Sequence, residues 1–119
     1  MATPVLTHTT LHLTPAEVWK RQKGGESYLP EAFGQDGFIH CTNDESKLVE
    51  IANLFYQKDL RSYYVLDVDL GANNEKTIYE DSDSAFPHIY GPIHTFAVTR
   101  VRHVLRADDG TFLGFGEPI

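Results

Sequence analysis

Three histidines of this 119-residue chain sit where a strand turns into something else. His12 lies in Leu11-His12-Leu13-Thr14, His40 in Gly37-Phe38-Ile39-His40-Cys41-Thr42, and His88 in Phe86-Pro87-His88-Ile89-Tyr90-Gly91-Pro92. A neutral imidazole moves a proton near physiological pH and anchors a sugar hydroxyl equally well. Three of them at comparable junctions read as one site, with His12, His40 and His88 as its candidate catalytic residues. Each has a hydroxyl close by, and Thr14, Thr42 and Tyr90 are candidate ligand-binding groups. Glu80, at the end of a short expected strand, would orient a hydroxyl or stabilise a developing cation. Tyr28, in an expected loop from Glu26 to Asp36, joins them because loops over clefts carry specificity. His8, His94 and His103 lack such surroundings and are assigned to packing or surface.

Cys41 is the only cysteine. Just ahead of a helix start its thiol would be activated by the helix dipole, which suits a nucleophile. It also alternates with Ile39, the pattern of an inert buried cysteine. His12, His40, Cys41 and His88 are zinc-ligand types, but no H-x-x-x-H or C-x-x-C spacing is present, and strand neighbours 40 and 41 point to opposite faces. No metal is assigned; a cysteine- or metal-dependent hydrolase is kept as an alternative.

These residues need elements to hold them. Leu6 to Leu13 reads as a strand, followed by a helix with Thr14 as N-cap, Pro15 at its first position and Glu17 closing a capping box; Gly24-Gly25 stops it. Thr42-Asn43-Asp44-Glu45 repeats the capping-box pattern before a helix with Leu48, Ile51, Ala52 and Phe55 on its inner face. Tyr63 to Leu70 alternates as a half-buried, half-polar strand. Gly71 to Asn74 reads as a turn, Lys76 to Glu80 as a short strand, Asp81 to Ser84 as a polar loop, and Phe86 to Pro92 as a rigid loop. His94 to Leu105 reads as one long strand with a bulge near Thr99-Arg100, and Asp109-Gly110 turns into a last strand from Thr111 to Phe115. Two helices interspersed with five to seven short strands make an α+β fold, a small bent or split, mixed or antiparallel sheet in a single domain spanning 1–119.

Composition narrows the function classes. Hydrophobic residues make up 41% of the chain, as in ordinary globular proteins. Seventeen acidic against ten basic residues give a net charge of −7, with only Lys20, Arg21 and Lys23 close together, which disfavours nucleic acid. No apolar run approaches the roughly 20 residues of a membrane helix. The start at Met1 lacks a secretion signal, and a single cysteine cannot form an internal disulfide; both point to a cytoplasmic setting.

The three histidine motifs, in this order and spacing, resemble the bacterial family called domain of unknown function 952, from about Val5 to Arg106. Leu11 stands where the family usually has Tyr, and Thr42 where it has Ser. The resemblance implies an ADP-ribosyltransferase-like fold, whose members hold NAD in a cleft of a split sheet. It assigns His12 to the nicotinamide ribose and His40 with Thr42 to the second motif. The third motif's usual Glu has no clean match in Glu80 or the His88–Tyr90 stretch. A G-x-G-x-x-G or P-loop cradle is missing, so the pyrophosphate would fall to the helix N-termini after Thr14 and Thr42. The expected function is a histidine-lined cleft for NAD or a related nucleotide, with ADP-ribose transfer as its reaction; the alternative is a noncatalytic binding or regulatory module.

Overall fold

Tyr64, Leu66 and Val68 alternate with Tyr63, Val65 and Asp67, and this stretch is an inner strand of the larger sheet. The structure is a computed structural model that describes residues 8–80, 82 and 84–119. In chain order it contains β1 (Thr9–Pro15), α1 (Ala16–Gln22), β2 (Ser27–Tyr28), α2 (Phe33–Asp36), β3 (Ile39–His40) and α3 (Glu45–Phe55). There follow β4 (Tyr63–Asp69), α4 (Leu70–Asn73), β5 (Thr77–Tyr79), β6 (Pro87–Ile89), β7 (Ile93–His94), a 3-10 turn (Thr95–Ala97), β8 (Val98–Arg106) and β9 (Phe112–Pro118). The starts of the expected first strand, at Leu6 and Thr7, and the loop positions Asp81 and Asp83 lie outside the described residues.

Three antiparallel sheets result, β1-β4-β8-β9, β2-β7 and β3-β6-β5. The expected α+β class with a split sheet holds, and every pairing among the described strands is antiparallel. Among the described residues four short α-helices occur where two were expected, because α2 and α4 are single turns of four residues. Gly37, at φ 78°, closes α2 in the left-handed conformation that L side chains resist, and the chain enters β3 from there.

Both faces of β1 and β4 are covered, which corrects the half-polar reading of β4. On one face Tyr64, Leu66 and Val68 join Val18, Trp19, Tyr28, Ile39, Ile89 and Ile93 in the main core. On the other, Leu11 and Val65 take Leu48 of α3, while Ala52 packs with Tyr63 and Phe112. Full burial of each Ile or Leu contributes about 1.5–3 kcal/mol. Asp67 is buried on this second face because β8 brings two arginines to it. Arg102 donates to its Oδ1 through Nε (3.2 Å) and Nη2 (3.0 Å), and Arg100 to its Oδ2 through Nη2 (2.9 Å). The register of β4 with β8 slips between Asp67 and Val68, leaving Thr99 as the extra residue, at the expected bulge.

The remaining differences come from tertiary pairing. The expected loop from Glu26 to Asp36 contains β2 and α2. The rigid loop around His88 is strand β6, in the middle of its sheet, with Pro87 accepting from Cys41 N–H through its carbonyl. The long strand from His94 is broken by the turn at Thr95–Ala97 into β7 and β8. Neither expected threonine cap forms. β1 runs through Thr14 to Pro15, and α1 starts without a side-chain cap, its Ala16 N–H donating to the Ser62 carbonyl. Thr42 instead exchanges both backbone bonds with Leu11 at 2.9 Å, which joins the first sheet to the third. Asp44 caps α3, its Oδ1 accepting from Ser46 and Lys47 N–H.

Candidate functional site

The face of β1 that carries Thr10, His12 and Thr14 points into the main core, so the His12 imidazole lies at the floor of a cleft with only 5% of the residue exposed. Its Nδ1 lies 2.8 Å from the His40 carbonyl, and its Nε2 lies 2.9 Å from the Tyr28 hydroxyl. A carbonyl only accepts, so Nδ1 carries the proton and Nε2 accepts from Tyr28. Burial lowers the His12 pKa to about 4, and the ring is neutral. Burial likewise pushes the Tyr28 phenol up. His12 thus fixes Tyr28 and the end of β3 in one geometry, with no ring nitrogen left over.

His40 and His88 face each other as register partners of β3 and β6, with ring centroids 5.4 Å apart. Strand parity separates them from Cys41, as the sequence predicts. Each imidazole is oriented by a carboxylate: His40 Nε2 lies 3.1 Å from Asp36 Oδ2, and His88 Nδ1 lies 2.7 Å from Glu80 Oε1. Phe38 stacks on His88 at 4.1 Å and meets the edge of His40 at 4.7 Å. Tyr90 donates to the same Glu80 Oε1 at 2.7 Å; this bond and the one from His88 hold the Glu80 carboxyl below its ordinary range.

Two cavities meet along Thr42. An inner one of about 240 Å³ is lined by His12, Tyr28, Phe38, His40 and, on the far side, Tyr56, Asp59, Arg61 and Tyr63. An outer one of about 650 Å³ shares His40, Thr42, Ile51 and Tyr56 with it and adds Cys41, Phe55, Glu80, Phe86 and His88. The flank of α3 closes the cleft; its capped N-terminus does not line it. Among the described residues the one Lys or Arg lining the inner cavity is Arg61, and three carboxylates hold it: Asp59 at 2.7 Å, Glu17 at 2.9 Å and Glu31 at 3.2 Å. Arg61 and the Tyr63 hydroxyl keep the Asp59 carboxyl well below the usual range.

Of the residues singled out from the sequence, His12, Tyr28, His40, Thr42, Glu80 and His88 line this cleft, and the buried Cys41 borders its outer part. Thr14 does not: it is fully buried and donates to the Pro15 carbonyl. Tyr90 lies behind the wall, against Phe38 and under the Lys76 ammonium. Cys41 is buried, burial pushes its thiol pKa up, and its Sγ faces the Ile39 carbonyl, so the structure gives it none of the activation a nucleophile needs. Among the described residues no group of three His, Cys, Asp or Glu side chains could share a metal ion. Asp36, Phe38 and the Asp59-Arg61-Tyr63 set escaped the sequence reading. Asp36 stands four residues before His40 and Asp59 four before Tyr63, spacings that offered a signal; the contacts of Arg61 with Glu17 and Glu31 gave none, because those partners are distant in the chain.

A family model described as "Protein of unknown function (DUF952)" matches residues 13–101. The chain belongs to this family. The crystal structure of protein CC0527 from Caulobacter crescentus superposes on it with a TM-score of 0.74 at 22% identity, covering 88% of this chain and 93% of that one. The solution NMR structure of CC0527 gives a TM-score of 0.65 at 23% identity, covering 86% and 89%. The likeness is one of fold, and the DUF952 chain shares its architecture with that protein over nearly the whole length. No curated protein matches the sequence significantly. Among the described residues no helix is long and apolar enough to cross a membrane.

Proposed function

We propose that this DUF952 protein binds a nucleoside-like ligand in the cleft, with NAD or a related nucleotide as the candidate, and that it holds the ligand rather than transforming it. The observation that carries the reading is the grouping of the fixed His12–Tyr28 pair, the Thr42 hydroxyl and the facing His40 and His88 rings around one cleft. Flat rings suit stacking on a base or a nicotinamide, and hydroxyl and imidazole groups suit a ribose. The ADP-ribosyltransferase-like kinship implied by the histidine motifs supports the same ligand class. In the catalytic version of this reading, loss of nicotinamide leaves an oxocarbenium-like cation, and Glu80 is the carboxylate placed to face it.

One observation favours holding over transfer: His12 has both ring nitrogens engaged, so it has none to offer a reacting group. A second narrows the ligand: a pyrophosphate would find little to bind, since the Ala16 N–H is taken by Ser62, Asp44 caps α3, and Arg61 is surrounded by carboxylates, which favours the nucleoside end of the molecule as the part held. The test is a titration with NAD, nicotinamide riboside and ADP-ribose, followed by backbone amide shifts and by assay of released nicotinamide. Shifts at His12, Tyr28, His40 and Thr42 with NAD and the riboside, and no free nicotinamide over hours, are expected. Unmoved amides at millimolar concentrations of all three would sink the ligand reading. Time-dependent nicotinamide release would sink only the noncatalytic part.

A further inference from the structure

The outer cavity has a charge and a surface that narrow its ligand further. Five rings border it, His40, Phe55, Tyr56, Phe86 and His88, together with the Glu80 carboxylate. Lys and Arg are missing from its described lining. Phe55, in the last turn of α3, is 70% exposed, so a large ring is held in water at the rim. Both donors to Glu80 land on Oε1, from Tyr90 and His88 at 2.7 Å each, and Oε2 takes no hydrogen bond among the described residues. An oriented carboxylate therefore presents one free oxygen beside a ring-lined hollow. An anion placed there would meet the Glu80 carboxylate with no Lys or Arg in the described lining to receive it. A neutral ring would leave the carboxylate oxygen unused.

We propose that the outer cavity is an aromatic cage for an organic cation carried on a flat or apolar body, with Glu80 Oε2 as its counter-charge. Aromatic faces attract a cation through their quadrupole, and the attraction grows when the cation leaves bulk water. Tyr90, behind this wall and bonded to the same carboxylate, already carries one: the Lys76 ammonium sits 5.4 Å from the centre of its ring. Asp36, paired with His40, adds a second negative group from the side of the inner cavity. The inference rests on reading the cleft as a ligand site and adds the sign of the ligand's charge.

N-methylquinolinium and quinaldine test it, being matched in ring system and methyl group but differing by one positive charge. Each is titrated into the full chain at neutral pH, with amide shifts and intrinsic fluorescence as readouts. The cation is expected to bind about tenfold more tightly. Glu80→Gln keeps an acceptor for Tyr90 and His88, and in it the preference should shrink to about twofold or less. Phe55→Ser removes an exposed ring at little cost to the fold, and should weaken the cation about fivefold. Equal binding of the two probes, or a preference that survives Glu80→Gln, overturns the cage while the nucleoside reading of the cleft stands. Probes that leave the amides of His40 and His88 unmoved overturn the cage too, and the nucleoside titration then decides separately whether the cleft is a ligand site at all.

Discussion

His12 makes the stability of this protein depend on pH in a window where few other groups act. Burial holds its folded pKa at about 4 against an ordinary 6.5. The unfolded chain therefore binds one more proton than the folded chain between these values, and stability falls as the pH is lowered through that window. Linkage with those two values gives a loss of about 2 kcal/mol between pH 7 and pH 5. The lowered carboxyl pKa values of Asp44, Asp59, Glu80 and Asp109 act in the same direction but at lower pH, as those groups take up protons below the ordinary carboxylate range. Urea unfolding at the two pH values measures the loss. His12→Asn keeps a donor for the His40 carbonyl and removes the titrating ring. The variant should be less stable at pH 7 by about 1–3 kcal/mol, because the Tyr28 hydroxyl loses its acceptor, and its stability should change far less between pH 7 and pH 5. A wild-type loss under about 0.5 kcal/mol, or an equal slope in His12→Asn, would refute the buried neutral imidazole.

Asp67→Ala leaves the buried Arg102 without its buried partner, and should destabilise the fold by about 3–5 kcal/mol in chemical denaturation. Replacement of Glu45, the exposed partner on the same arginine, should cost about 1 kcal/mol or less. Cys41 should resist iodoacetamide in the native protein and react at the ordinary rate in denaturant; fast native alkylation, read by mass spectrometry, would contradict its burial.

The strands were legible where alternation is strong. β1, β4 and the bulge at Thr99 follow from side-chain parity, and so does the turning of His40 away from Cys41. Burial of Asp67 was not legible, since a strand records its own pattern and not the arginines that β8 places across from it. The two threonine caps misled for a related reason. Thr14-Pro15-Ala16-Glu17 satisfies the local rule, yet the backbone there is already committed to β4. Thr42 satisfies it too and is taken by Leu11, so Asp44 becomes the cap two residues later. At the cleft, the three histidines, Tyr28 and Glu80 were identifiable by type and position. The role of His12 was not, because it depends on a tyrosine 16 residues away and on a carbonyl 28 residues away. A chemically suggestive residue thus became a structural pin once both of its nitrogens found partners.

The Leu11–Thr42 bridge has a mechanical consequence. It supplies the backbone bonds that join the four-stranded sheet to the sheet carrying His40 and His88, and Thr42 lies where the two cavities meet. Only these two backbone bonds cross the seam among the described residues, so the shared core of Ile39, Ile89 and Leu66 and the His12–His40 contact carry the rest of the join. The Leu11 and Thr42 amides are therefore gauges of breathing at the cleft. Their deuterium exchange should run faster than that of the β4 amides, and should slow when a molecule spans both sides of the seam.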